Sequence, residues 1–265
     1  MLKSICVPED WNPSTDGDIN LQGGCDESGR GSIIASVFAA AVILDPSKEV
    51  HPKLNDSKKL SRKQRAILRI WIEENSIWCV ASRDNDCIDR INILRATQES
   101  MVEAFNGLSI KPTLLVVDGN YFCGIKGIPH VCVVGGDGIY ANIAAASILA
   151  KEHHDDHIRN IHESLTEQLG EDIANAYNLL NCKGYGTAKH IAAIREHGVT
   201  SFHRRTFGKV AEYCRDTTDM KGVAVSDSKP KAPNFKIHSH DGHNGTAESP
   251  IKSVGKWTPF NIALC

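Results

Sequence analysis

Apolar and polar positions along this chain follow two different periods. Residues 19–26 read as a short strand, and the continuous run 32–44 (SIIASVFAAAVIL) as a second strand with its extension. Ser76–Arg83 (SIWCVASR) reads as a third. The closeness of the three in sequence favours a mostly antiparallel start. Residues 61–75 carry a helical period, with Ile67, Leu68, Trp71 and Ile72 on one side and a capping-box pattern at Ser61-x-x-Gln64. A second helix is predicted over 91–105, with Ile91, Leu94, Met101, Val102 and Phe105 on its inner stripe. The apolar run 113–118 (TLLVVD) ends in an acid, as a buried strand does when it delivers a functional carboxylate at its C-terminal end. A short strand at 131–134, a long helix over 140–165, and helices over 171–181 and 188–197 complete the pattern. Strands first and strand–helix alternation afterwards predict an α/β layer fold, a mixed sheet flanked by helices with a small helical C-terminal extension.

After about Asp216 the composition shifts to Ser, Lys, Pro, Gly, Asp and His, with few large apolar residues. The chain therefore divides into a folded unit over 1–215 and a low-complexity polar tail over 216–265. The tail ends in an apolar cluster (Trp257, Phe260, Ile262, Leu264) that is a candidate for docking on a protein partner, although self-docking or disorder is the favoured expectation.

With 265 residues the chain can bury one substantial core. A net charge of −2 removes any global basic field, so nucleic-acid binding would need a local patch. The nine cysteines are odd in number, scattered, and include no C-x-x-C pair, which fits reduced thiols better than a disulfide framework. Residues 1–22 lack a basic start followed by an apolar run, and no stretch is long enough to span a membrane. A cytoplasmic, monomeric protein is expected.

Chemistry concentrates at Asp26-Glu27-Ser28-Gly29-Arg30-Gly31, where two acids meet a Gly-Arg-Gly turn. Two carboxylates about 4 Å apart at an effective dielectric of ~20 repel by roughly 4 kcal/mol, so a fold that joins them supplies a cation or protonates one. The glycines bring backbone N–H groups without a Cβ, so a ligand backbone can come close. Helical phase places Asp155 on the stripe of Ile148, Ile158 and Leu165 that faces the sheet, and turns Asp156 to solvent. An ion pair with Lys151 is the plainer reading of Asp155; taken with Asp26, Glu27 and Asp118, metal binding outweighs it. Four carboxylates would balance two divalent ions, and all-oxygen ligands suit Mg²⁺ or Mn²⁺. Strict strand geometry would point Asp26 and Glu27 to opposite faces, so the strand must bend or end there.

Tyr185, framed by Gly184 and Gly186 behind Lys183, can stack on a base or sugar or simply pack at a helix entry. Lys183, Lys189, Arg195, Arg204, Arg205 and Lys209 against Glu196 form a candidate phosphate-facing patch. Lys58 could add a basic contact. His153 and His157 lack the Glu of H-E-x-x-H and a third ligand, and the His-containing tail offers adventitious metal binding at most. Residues 135–138 (GGDG) lack the strand–G-x-G-x-x-G–helix context of a nucleotide loop.

GCDESGRG, NDSKKLS, LLVVDGN, IAAASILAK followed by Asp155, and KGYGTAKH with HGVTSFHRRTF resemble ribonuclease HII in order and spacing, from about residue 7 or 23 to 207. The Gly-Arg-Gly turn favours this type over the related HIII type. The resemblance implies an RNase H-like fold and a metal-dependent endoribonuclease. Its substrates would be RNA–DNA hybrids and DNA duplexes with an embedded ribonucleotide, cut by in-line attack of metal-activated water to leave a 3′-OH and a 5′-phosphate. It implies metal-binding, catalytic roles for Asp26, Glu27, Asp118 and Asp155, recognition of the ribose 2′-OH by Gly29, Arg30 and Gly31, and stacking of Tyr185 at the sugar of the following deoxynucleotide. Ser28, Ser32 and Ser36 depart from the family's usual Ala and Pro, and Gly135 and Ile139 fall near positions that commonly carry basic residues. Those losses leave open a catalytically weak hybrid-binding protein of the same fold. A DNA-directed nuclease of the same superfamily is the other competitor, against which the Gly-Arg-Gly turn and Tyr185 argue.

Overall fold

The computed structural model of the chain describes residues 1–9, 11–12 and 21–215. The tail expected over 216–265 lies outside them. Its elements are β1 (Gln22–Ser28), β2 (Val37–Leu44), α1 (Arg62–Glu74), β3 (Ser76–Arg83), α2 (Asn85–Ile91), α3 (Ile93–Asn106), β4 (Leu114–Asp118), β5 (His130–Val133), α4 (Ala141–Leu169), α5 (Glu171–Ala176), α6 (Leu179–Cys182), α7 (Ala188–His197) and α8 (Gly208–Arg215). The five strands form one mixed sheet in the order β3-β2-β1-β4-β5. β1, β2 and β3 pair antiparallel, whereas β4 lies parallel to β1 and β5 parallel to β4. The antiparallel start and the α/β layering follow the sequence pattern.

Each face of the sheet carries one principal helix. Along β2, Ala39, Ala41 and Ile43 point to the side of α3, where Met101, Ala104 and Phe105 meet them. Ala40 and Val42 point to the side of α4, among Ala144, Ala145 and Ile148. Alanines on both partners let strand and helix approach closely. At β1 the approach reaches backbone contact, because a Cβ at Gly24 would lie 2.1 Å from the main-chain carbon of Asn142. Asn142 then uses its side chain to accept a 2.8 Å hydrogen bond from Leu44 N–H. A third cluster, built from Ile158, Ile161, Leu165, Tyr177, Ile194 and Val210, packs the C-terminal helices against the far half of α4.

Three expected elements break at residues with positive φ. The strand expected over 32–44 starts only at Val37, because Ala35 sits at φ 75°. The preceding residues pair instead with the C-terminal layer, through isolated bridges from Ser32 to Tyr185 and from Ile34 to His203. The helix expected over 91–105 runs from Ile93 to Asn106, starting two residues late because Asn92, φ 69°, ends the preceding helix and caps α3 by accepting from Arg95 N–H. The helix expected over 171–181 splits at Asn178, φ 58°. Asn178, with ψ 27°, sits in the left-handed region that asparagine tolerates better than other residues with a side chain, whereas Asn92, with ψ 163°, lies outside that region and is held by its cap on α3. The capping box at Ser61 forms as expected, with Gln64 answering the Ser61 N–H. The inner stripe of α1 is rotated, however: Arg65 lies inside with Leu68 and Ile72, and Ile67 is 56% exposed. Leu94 is likewise exposed.

The contact between β1 and α4 sets the height of everything mounted on them. Gly24→Ala is expected to destabilise the fold by about 3 kcal/mol, since neither backbone can retreat from a Cβ at that distance. Urea denaturation of the variant against the parent chain measures this.

Candidate active site

The parallel register pairs Cys25 of β1 with Val117 of β4, so the next residues, Asp26 and Asp118, come side by side at the carboxyl ends of adjacent strands. That is where α/β sheets open a crevice for ligands. Asp26 is only 5% exposed. Burial and then the neighbouring carboxylates of Glu27 and Asp118 raise its pKa well above the usual carboxylate range, although the Ser147 hydroxyl and the Glu27 N–H favour its charged form. Ser147 also meets the Ser57 hydroxyl at 2.8 Å, which ties α4 to the short 3-10 turn Ser57–Lys59. β1 continues through Glu27 to Ser28 rather than ending at the acids. Glu27 instead receives Arg30 Nη1 at 3.1 Å.

A further acid joins this group. Asp118 accepts a 2.7 Å hydrogen bond from Gly136 N–H, at the start of a second 3-10 turn, Gly136–Gly138. That turn buries Asp137, leaving it 5% exposed, with its Oδ2 lacking a hydrogen-bond partner. Burial, then Asp56 and Asp118, raise the Asp137 pKa. Lys58 Nζ lies 3.9 Å from Asp137. Burial would lower Lys58, but Asp137, Asp26, Asp56 and Asp118 outweigh it and hold the ammonium above its ordinary pKa. Lys58 is thus the cation of the acidic group. The sequence reading treated residues 135–138 only as a weak nucleotide loop. The available signal was an acid flanked by glycines 19 residues after Asp118, just before the long helix.

Asp155 lies elsewhere. It follows Ser147 by eight residues on α4, about 12 Å further along the helix axis. It is 1% exposed, and its oxygens receive Lys151 Nζ at 2.7 Å and Arg65 Nη2 at 3.3 Å. Burial would raise it, but the His154 ring, 3.6 Å away, and the hydrogen-bonded Lys151 ammonium outweigh burial and drive it far below the usual range. The ion pair with Lys151 is therefore realised, and Asp155 does not join Asp26 and Asp118. Asp156 pairs with Arg69 at 2.7 Å and with Arg159. Lys183, at φ 52°, sits on the margin of this second cluster: burial lowers its pKa, Asp155 opposes, and Arg62, Lys151 and Arg159 add to the lowering. Asp155 thus anchors a basic patch.

The Gly-Arg-Gly turn lies beside the acids, and its glycines make room for this chain's own side chains. A Cβ at Gly29, φ +89°, would stand 2.4 Å from the His154 ring. One at Gly31 would stand 3.1 Å from the ring of Tyr185. Tyr185 covers that turn while remaining 45% exposed. Arg204, read as part of a phosphate-facing run, is fully buried instead, and its guanidinium donates to the main-chain oxygens of Gly29, Arg30 and Ala35.

Among the described residues, no three His, Cys, Asp or Glu side chains already converge on one ion-sized point. The carboxylates turn to Glu27 N–H, Gly136 N–H and Lys58. The donor set is nonetheless oxygen-only, Asp26 is held against its own ionisation by burial and then by neighbouring charge, and Asp137 Oδ2 is buried without a hydrogen bond. Those features fit a hard divalent cation.

The ribonuclease HII family model matches residues 23–210. The chain belongs to the ribonuclease HII family. It is 46% identical over 193 residues to the ribonuclease HII of Bacteroides thetaiotaomicron, covering 72% of this chain and 92% of that protein. It is 46% identical over 197 residues to that of Porphyromonas gingivalis, covering 74% and 93%. Among solved structures, the ribonuclease H2 of Pyrococcus horikoshii superposes with a TM-score of 0.59 at 24% identity, over 75% of this chain and 99% of that one. The RNase HII of Archaeoglobus fulgidus, solved with PCNA, gives 0.57 at 23%, over 71% and 95%. At such identities these two show the RNase H-like fold alone. Membership of the ribonuclease HII family makes the chain a type 2 ribonuclease H, a metal-dependent endoribonuclease.

The two carboxylate clusters should respond oppositely to neutralisation. Asp26→Asn keeps both hydrogen bonds and removes a charge the fold opposes, so in chelator it should raise stability by about 1–2 kcal/mol. Asp155→Asn strips the counter-charge from Arg65 and Lys151 and should cost about 3 kcal/mol. Thermal melts of the two variants beside the parent measure both.

Proposed function

We propose that this chain cleaves the RNA strand of RNA–DNA hybrids and incises duplex DNA at embedded ribonucleotides, leaving a 3′-OH and a 5′-phosphate. We place it in the cytoplasm as a monomer, with a catalytic unit over 1–215. The observation that carries the reading is the adjacency of Asp26 and Asp118 on parallel strands, beside a glycine turn covered by an exposed tyrosine. Among the described residues no helix is long and apolar enough to cross a membrane.

Asp26, Glu27 and Asp118 would hold Mg²⁺ or Mn²⁺, with Asp137 taking the fourth place first assigned to Asp155. When bound, such ions supply an activated water and stabilise the charge that develops at the phosphate. The remaining work falls to protein groups. The main chain of Gly29, Arg30 and Gly31 faces the ribose, whose 2′-OH is the donor and acceptor that separates RNA from DNA. Tyr185 offers its exposed ring to the next sugar, which must lack that hydroxyl to fit closely. Lys58, with most of its side chain in solvent, can move from Asp137 to a substrate phosphate. Lys183 and its basic neighbours can follow the backbone further along.

The weak-binder alternative gains nothing here. Gly135 and Ile139 lie next to the acids without displacing any of them, and Gly135, at φ +67°, has open space around it. A protein partner for residues 216–265 fits the same reading, as the A. fulgidus protein is solved with PCNA.

Incubation with a duplex holding one embedded ribonucleotide, in Mg²⁺, Mn²⁺ or chelator, is expected to give cleavage only with metal. Asp118→Asn and Asp137→Asn should each lower kcat by about 100-fold or more at unchanged substrate affinity. Cleavage in chelator, or an Asp137→Asn protein with parental kcat, would refute the corresponding assignment. Tyr185→Ala should raise KM on the single-ribonucleotide duplex by about tenfold and affect a continuous hybrid less, as a lost stacking contact does. Steady-state kinetics on the two substrates separates these effects.

A further inference from the structure

His203 and Arg204 are adjacent, fully buried, and remote in sequence from every acid of the site. Each reaches a different half of the turn-and-tyrosine unit. Arg204 spreads three donors over three main-chain oxygens: Nη2 to Gly29 at 2.7 Å, Nη1 to Arg30 at 3.0 Å and Nε to Ala35 at 2.9 Å. Burial pulls its pKa down to about 9, so it stays charged at neutral pH, and the Phe207 ring lies 5.0 Å from its guanidinium carbon. The Gly29 and Arg30 carbonyls are thereby held toward the buried guanidinium. The bond to Ala35 also holds an alanine at positive φ, a conformation that persists only when its surroundings impose it.

His203 works through a chain of defined polarity. Thr200 N–H donates to His203 Nδ1 at 3.0 Å, which leaves the ring proton on Nε2. That proton points at His190 Nε2, 3.1 Å away, which must accept it. The His190 proton therefore sits on Nδ1, aimed at the Tyr185 carbonyl at 3.1 Å. Both rings are buried, and their pKa values are lowered, first by burial, that of His203 to about 3. They remain neutral, as this polarity requires.

We infer that the His203-Arg204 pair positions the ribose sensor from beneath, Arg204 setting the Gly29–Arg30 carbonyls and His203, through His190, setting Tyr185. Neither residue touches substrate; both are positioning residues. The inference rests on the ribose-sensing reading of the turn and Tyr185.

The test is binding, in chelator, of two fluorescent duplexes that differ only in one embedded ribonucleotide. The parent chain should prefer the ribonucleotide duplex. Arg204→Lys keeps the charge but cannot span three carbonyls, and should lose about tenfold of that preference, with affinity for the all-DNA duplex unchanged. His203→Gln, the second variant should Arg204→Lys not fold, should also lose preference, but should lose nothing further in a Tyr185→Ala background. A folded variant that melts earlier yet keeps the full preference would overturn the inference and leave both residues merely structural. So would equal weakening toward both duplexes. A parent chain with no preference would instead defeat the ribose-sensing reading, and the inference with it.

Discussion

The repulsion between Asp26 and Asp118 is the constraint around which the site is arranged. Parallel pairing of β1 with β4 forces the two carboxylates into neighbouring positions, and the close seat of α4 on Gly24 buries the first of them. No local rearrangement relieves this, because moving Asp26 would require moving the strand. The protein answers with partial measures: a hydroxyl from Ser147, main-chain N–H groups at Glu27 and Gly136, and one mobile ammonium at Lys58. None neutralises the group fully. A site left electrostatically short of cations at neutral pH is one that a divalent ion can complete.

α4 keeps two polar systems apart along one helix. Its first turns carry Asn142 against the sheet and Ser147 against Asp26. Its middle carries Glu152 and Asp155, both paired with Arg65, and Lys151 pairs with the Asp155 carboxylate as well. The lower pKa of Asp155 and the raised pKa of Asp26 express this division: one acid has been given its counter-charges by the fold, the other has not. A buried acid matched by arginine and lysine is a structural element, and breaking it exposes unpaired charge.

Much of the scaffold was legible because it depends on local signals. Ser76–Arg83 and Ala188–His197 have the expected limits, and the Ser61 cap forms as its pattern requires. The breaks at Ala35, Asn92 and Asn178 were not legible, because each depends on a positive φ imposed by distant partners or by an asparagine whose alternatives were all open. Asp26, Glu27 and Asp118 could be grouped from strand ends and motifs. Helical phase could not decide whether Asp155 joins them. Phase gave Asp155 the correct inward direction but said nothing of its height along α4, and height decides which cluster it joins. Asp137 has no periodicity to mark it, since a three-residue turn carries none. Arg204 looked like a surface cation because charge runs usually are; only the three carbonyls beneath it make burial favourable.

The glycines of the turn show how a functional motif can owe its composition to the protein's own packing. Gly29 is required by His154 and by its φ, and Gly31 lets the Tyr185 ring come close; neither involves a ligand. Freedom from Cβ atoms lets the turn close against its neighbours, with its carbonyls on the buried Arg204. The same logic extends to the tyrosine. Its ring rests on Gly31, its main chain bridges to Ser32, and its carbonyl is held by His190. A sensor that must distinguish one hydroxyl cannot tolerate a loose frame, because a displacement of an ångström would let either sugar bind equally well. On the proposed reading, the buried polar network under the turn is the source of that rigidity, with the acids supplying reactivity and the frame supplying choice.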